Sequence, residues 1–140
     1  MFRKILVAID GSAGANKALG TAIDLAKHYE AELHSISVEE RLPHYAATVG
    51  EVVEAKQEAA DYFRRVVTDA ELAATAHGVR LNSHVLPGHE VGTIVQFVKE
   101  RQFDVLIIGF MGHSRIFDRI WGGTSQNLTR LAPCSVLVVK

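Results

Sequence analysis

Two kinds of apolar spacing alternate along the chain. Ile5-Leu6-Val7-Ala8-Ile9 is an unbroken apolar run, the pattern of a strand covered on both faces of a parallel sheet. It stops at Asp10-Gly11-Ser12, where Ser12 is placed to cap a helix whose Ala18, Ala22, Leu25 and Ala26 form one stripe. A second strand is predicted over Leu33 to Val38, weakened by His34, Ser35 and Ser37. From Glu39 to about Gly50 the period is lost, and Pro43 and charged residues mark an exposed loop. The longest helix is predicted over residues 51–77, where Ala59, Tyr62, Phe63, Val66, Val67, Ala70, Ala73 and Ala74 recur at three- and four-residue steps. Gly78 stops it. Val79 to Leu86 reads as a third strand, and Pro87-Gly88 turns the chain into a third helix with Val91, Ile94, Val95 and Val98 inward. Lys99 and Arg101 stand near the negative end of that helix. Phe103 to Ile108 is the fourth strand, a fourth helix carries Leu128, Leu131 and Ala132, and after Pro133 a fifth strand runs from Ser135 to Val139.

Strands alternating with helices throughout predict an α/β fold: a doubly wound, five-stranded parallel sheet of order 3-2-1-4-5, Rossmann-like in winding, with helices on both faces. In such sheets ligands bind beyond the C-terminal strand ends, where the winding reverses. Asp10-Gly11-Ser12 follows the first strand, and the glycine-punctuated stretch from Gly109 to Ser125 follows the fourth. The stated order makes those two strands neighbours, so both loops converge on one crevice. Glycines at 109, 112, 122 and 123 let main-chain amides approach a ligand closely. The helix start after them adds unpaired N–H groups and a positive dipole end. From the residues alone the loop reads either as an anion cradle or as a chain reversal that needs glycine only for its turns.

Composition narrows this picture. A chain of 140 residues fits one domain, spanning 1–140, and can bury a sizeable core. With 15 Lys+Arg against 16 Asp+Glu the net charge is -1, which argues against nonspecific nucleic-acid binding. The apolar runs are far too short to span a membrane, and the first ten residues read as a core strand rather than a signal peptide. A cytoplasmic protein is the expectation. The single cysteine, Cys134, reads as a buried thiol near a strand. The seven histidines, at 28, 34, 44, 77, 84, 89 and 113, show no i, i+4 pair and no cysteine partner, so no metal site is expected.

The glycine spacing, Gly109, two residues, Gly112, nine residues, Gly122, together with the opening Asp10-Gly11-Ser12 and the closing Pro133-Cys134-Ser135-Val136-Leu137-Val138-Val139, resembles the universal stress proteins over the whole chain. The resemblance implies a flavodoxin-like domain, usually a homodimer, whose ATP-binding branch holds an adenine nucleotide in the strand-end crevice. Asp10, with Gly11 and Ser12, would lie beside the adenine and ribose, and Val38 would offer its backbone to the adenine edge. Gly109, Met111, Gly112, His113, Ser114 and Arg115 would cradle the ribose and phosphates. Gly122, Gly123, Thr124 and Ser125 would meet the terminal phosphates. The ligand would be ATP, ADP or AMP, with Mg2+ as a possible companion. One departure is Gly123, which stands where the family pattern has Ser or Thr. The lost donor to a charged group corresponds to about 1.5 to 3 kcal/mol, which puts a triphosphate preference in question.

Catalysis has little support. No Ser-His-Asp or Cys-His arrangement is visible, and the loop lacks the Gly-Lys-Ser/Thr of a Walker motif. A regulatory nucleotide-binding protein is the primary expectation, with slow ATP hydrolysis left open; a nucleotide-free dimeric interaction module is the alternative. The apolar fifth strand lies at a sheet edge, and antiparallel pairing of two such strands about a two-fold axis is the expected dimer contact.

Overall fold

The computed structural model describes residues 1–40, 48–110 and 123–140. Its elements run β1 (Lys4–Ala8), α1 (Ala13–Tyr29), β2 (Glu32–Glu39), α2 (Val49–Ala76), β3 (Leu81–Pro87), α3 (Glu90–Arg101), β4 (Val105–Gly109), α4 (Gly123–Leu131) and β5 (Ser135–Val139). Most of the loop expected after β2 lies outside the described residues. The strands form one sheet of order β3-β2-β1-β4-β5, with every pairing parallel. This is the flavodoxin-like winding that the element order predicts. β1 lies between β2 and β4, with Ile5 opposite Leu33 on one side and Val105 on the other.

The central strand alternates between two cores. Ile5, Val7 and Ile9 pack with Leu33, Ile107 and the α1 residues Ala18, Leu19, Ala22, Ile23 and Ala26, and α2 adds Ala70 and Ala74. Leu6 faces the other way, among Ile36, Leu106, Ile108, Leu128 and the α3 residues Ile94, Phe97 and Val98. Helices α1 and α2 therefore cover one face and α3 and α4 the other. A β-strand's side chains alternate between faces, so an unbroken apolar run is what a strand with two covered faces requires. Each fully buried Ile or Leu contributes about 1.5 to 3 kcal/mol. Ser35 and Ser37, which interrupt the apolar pattern of β2, are also fully buried.

Where element ends differ from the periodicity, side chains or caps have claimed the backbone. α2 begins at Val49, two residues before the predicted start. Thr48 accepts from the Glu51 amide at 3.2 Å while Glu51 accepts from the Thr48 amide at 3.3 Å, a reciprocal capping box. β3 begins at Leu81 rather than Val79, because the Val79 amide donates to the Ala74 carbonyl and closes the end of α2. β4 begins at Val105 rather than Phe103. The Asp104 carboxylate accepts the Arg3 and Lys4 amides, each at 2.8 Å, and tethers the preceding turn to the start of β1. The α2 stripe is also shallower than its period suggests: only Ala70 and Ala74 are fully buried, since this helix packs on β3, an edge strand.

Candidate functional site

Three strand ends meet at the C-terminal edge of the sheet. Asp10 lies just past β1, Val38 is the penultimate residue of β2, and Gly109 closes β4. Because β1 sits between β2 and β4, the sheet order brings these three sequence-distant positions side by side. The first turn of α4 contributes Gly123, Thr124 and Ser125. Met111, Gly112, His113, Ser114, Arg115 and Gly122 lie outside the described residues.

The turn after β1 is built from its own side chains. Asp10 Oδ1 accepts the Ser12 amide at 2.9 Å, and Ser12 Oγ in turn accepts the Ala15 amide at 3.1 Å, capping α1. Ser12 thus acts as the predicted N-cap, and one Asp10 oxygen shapes the turn. Gly11 has φ +83, in the left-handed region, and a Cβ there would come within 2.5 Å of the Tyr62 hydroxyl oxygen. That hydroxyl donates to the Asp10 carbonyl. Burial and the nearby Asp10 carboxylate push the Tyr62 hydroxyl pKa up, so it stays a donor. The helical period assigns Tyr62 to the core stripe of α2; it is instead the clamp by which α2 holds the β1 turn.

β2 presents its backbone alternately to β1 and β3. The Ile9 amide donates to Ile36 O, and the Gly88 amide donates to Glu39 O. Val38, two residues beyond Ile36, therefore directs its main-chain groups to the β1 side, past the last paired residue, Ala8. This is the orientation needed to meet a ligand edge above Asp10.

Gly109 has a packing reason for being glycine. A Cβ there would lie 2.6 Å from both the carbonyl carbon and the oxygen of Gly14 and 3.0 Å from the Ala15 nitrogen. The missing side chain lets the first turn of α1 rest directly on the end of β4, drawing the α1 N-terminus to the crevice. Ser125 joins two elements. Its hydroxyl donates to the Gly109 carbonyl at 3.1 Å, joining α4 to β4, and so it gives its single proton to the protein. At Gly123, by contrast, a Cβ would meet nothing within 4 Å.

The edge carries a carboxyl that the sequence pattern does not single out. Glu90 opens α3, and burial first, then the Asp10 and Glu40 carboxylates, raise its pKa to about 7. A helix N-terminus favours a negative charge by about 0.3 to 1 kcal/mol, which the burial outweighs. The only signal in the sequence is an acid shortly after the Pro87-Gly88 turn. Three acids thus come from the ends of β1 and β2 and the start of α3, making this side of the crevice negative. Cys134, half-buried, donates its thiol proton to the Ser135 carbonyl at 3.3 Å, and burial pushes its pKa up; this is the behaviour of a packed thiol. Among the described residues no group of three or more His, Cys, Asp or Glu side chains could hold a metal ion, and no helix is long and apolar enough to cross a membrane.

Known proteins share this fold. The chain is 28% identical to the universal stress protein YxiE of Bacillus subtilis across the full length of both. Among solved structures, universal stress protein UspA from Lactobacillus plantarum superposes with a TM-score of 0.89 at 22% identity, covering 99% of this chain and 98% of that one. A universal stress protein crystallised in complex with cAMP superposes with a TM-score of 0.78, also at 22% identity, covering 99% and 97%. The family model described as "Universal stress protein family" matches residues 1–140, and the chain belongs to that family.

Proposed function

We propose that residues 1–140 act as one cytoplasmic domain that binds an adenine nucleotide at the C-terminal edge of the sheet and serves as a stress-response regulatory protein rather than an enzyme. The observation that carries this reading is the convergence of Asp10, Val38 and Gly109 with the first turn of α4 where the strand order reverses. A structural neighbour crystallised with cAMP supports it. In this reading the base and ribose lie over Asp10, Gly11, Ser12 and Val38. The phosphates lie toward Gly109, the segment with Met111, Gly112, His113, Ser114 and Arg115, and the turn of Gly122, Gly123, Thr124 and Ser125. Since the Ser125 proton is given to Gly109, phosphate is held mainly by main-chain amides. Asp10, Glu40 and Glu90 make the base end of the crevice negative and so favour the phosphates at the other end. Fewer phosphates then suit the crevice better, and Mg2+ becomes relevant only for ATP or ADP. The test is titration calorimetry on nucleotide-stripped protein with ATP, ADP, AMP and cAMP, with and without Mg2+. Saturable heat is expected for at least one of them, with AMP or cAMP at least as tight as ATP; silence from all four overturns the proposal.

The alternative, an interaction module working through its dimer surface, draws on β5. It is an edge strand with Leu137 38% exposed, and Phe110 and Leu131 are exposed at the ends of β4 and α4. An apolar open edge of this kind is normally covered. We propose antiparallel pairing of residues 135–139 between two copies. Light scattering at micromolar concentration should return twice the 15.3 kDa of one chain; a mass of one chain removes this contact.

A further inference from the structure

A chain of three polar side chains runs through the opposite end of the sheet, away from the nucleotide edge. His34 of β2 is buried, with its side chain 7% exposed, and its Nε2 lies 2.6 Å from Oε1 of Glu32, whose side chain is 57% exposed. Its other nitrogen, Nδ1, lies 2.9 Å from Nε2 of His84 on the neighbouring strand β3. The two imidazole planes are 9° apart. Aromatic rings enclose them: Phe103 stands edge-on to His34 with centroids 5.2 Å apart, and Phe97 of α3 lies 4.8 Å from His84. Phe97 and Phe103 are themselves in contact, so the pair forms part of the seat of α3.

The hydrogen bonds define the proton positions. A carboxylate only accepts, so a neutral His34 carries its proton on Nε2 and leaves Nδ1 as an acceptor. His84 must then donate from Nε2. One added proton can enter only at His84 Nδ1, among the Phe97 ring, Arg101 at the end of α3 and Lys4 from β1. Both cations already lie over this aromatic cluster, Lys4 Nζ 4.8 Å from the Phe103 centroid and the Arg101 guanidinium 5.4 Å from that of Phe97. A proton placed on His34 Nδ1 while His84 keeps its own on Nε2 would aim N–H at N–H and break the bond between β2 and β3. Glu32 on β2 is the acid that faces His34, and Asp104 before β4 binds the amides beside Lys4.

We propose that Glu32, His34 and His84 form a proton-responsive element that seats α3 on β2 and β3 while neutral and loosens it on acidification. The folded pair accommodates one added proton at most, since a second would set N–H against N–H across the 2.9 Å contact between the rings, and the two behave as a coupled unit. Burial, followed by His34, Arg101 and Lys4, holds the His84 pKa below its usual range. A histidine whose folded pKa is lowered contributes stability that is present above the unfolded value and lost as pH falls below it. One excluded proton lowers the folding equilibrium constant about tenfold between pH 7.5 and pH 5.5. Because α3 opens with Glu90 at the nucleotide edge, its loosening would reach the crevice.

The experiment compares urea unfolding of the full chain with that of His84→Gln at both pH values. The tenfold loss is expected in the wild type beyond whatever the variant shows; an unchanged pH dependence in the variant overturns the element. Imidazole nitrogen NMR of the folded wild type supplies a second readout that needs no variant. It should show the Nε2–H tautomer for both histidines at pH 7.5 and coupled titration. Independent titration of both near pH 6.5 overturns the proposal, as does amide exchange that rises equally in α1 and α3 at pH 5.5 once intrinsic rates are removed. None of these readouts depends on a nucleotide, so they stand apart from the function proposed above.

Discussion

Replacing Gly109 with alanine is expected to destabilise the fold by about 3 kcal/mol or more, the upper part of the range for overpacking a rigid site. The added carbon would sit 2.6 Å from two backbone atoms of Gly14 and 3.0 Å from the Ala15 nitrogen. A flexible side chain can rotate away from such a contact; backbone in the first turn of a helix cannot. Relief requires α1 to move, and α1 carries five buried residues of the first core. The melting temperature should fall by roughly 10 °C. Gly20→Ala is the matched control, since Gly20 lies within α1 itself but has nothing within 4 Å of its missing side chain. In an α-helix that change stabilises by roughly 0.5 to 1 kcal/mol. Urea unfolding of both variants decides the matter: equal midpoints would show that the β4 end and α1 are not in direct backbone contact.

Glu90→Gln is expected to stabilise the protein by roughly 2 to 3 kcal/mol at pH 8 and to have little effect at pH 5. The Glu90 pKa stands at about 7 in the fold against 4.5 for the ordinary group. Between those values the folded chain holds a proton that the unfolded chain has released. Wild-type stability therefore falls as pH rises from 4.5 to 7, and above 7 the full cost of the buried charge beside Asp10 and Glu40 is present. Glutamine keeps the shape and removes the charge, so the variant gains where the wild type is ionised. Denaturant midpoints for both proteins at pH 5, 6, 7 and 8 test the sign and the window. If the nucleotide site is as proposed, the variant also binds an adenine nucleotide more tightly than the wild type at pH 8. Identical pH profiles would mean that Glu90 is solvated and plays no part at this edge.

The fold was legible because its two rhythms are strong. β1 and β4 are buried on both faces and so tolerate apolar residues at every position, while the α1 stripe packs small residues against them. What the periodicity misplaces are element ends, at Thr48, Val79 and Asp104, where side chains or turns capture main-chain groups. Phe97, absent from the inward positions predicted for α3, is buried because it meets Phe103 and His84, partners that a helical period does not reveal.

At the crevice, Asp10 and Gly109 could be marked from the chain because strand ends followed by glycine turns have a local signature. Their roles could not. A sequence shows that a position lacks a side chain; it does not show whether a ligand or the backbone of another helix fills the space, and at Gly109 the Gly14 carbonyl does. Likewise the sequence does not show that the Ser125 hydroxyl donates to the Gly109 carbonyl and joins α4 to β4. Glu90, Tyr62 and the His34 and His84 pair owe their character to neighbours far along the chain, such as Tyr62 to Asp10 at a separation of 52 and His34 to His84 at 50. Local periodicity carries burial and turn chemistry, which act over a few residues. Proton affinity, hydrogen-bond partners and close backbone approach arise between segments, and they take form only when the sheet order sets those segments beside one another.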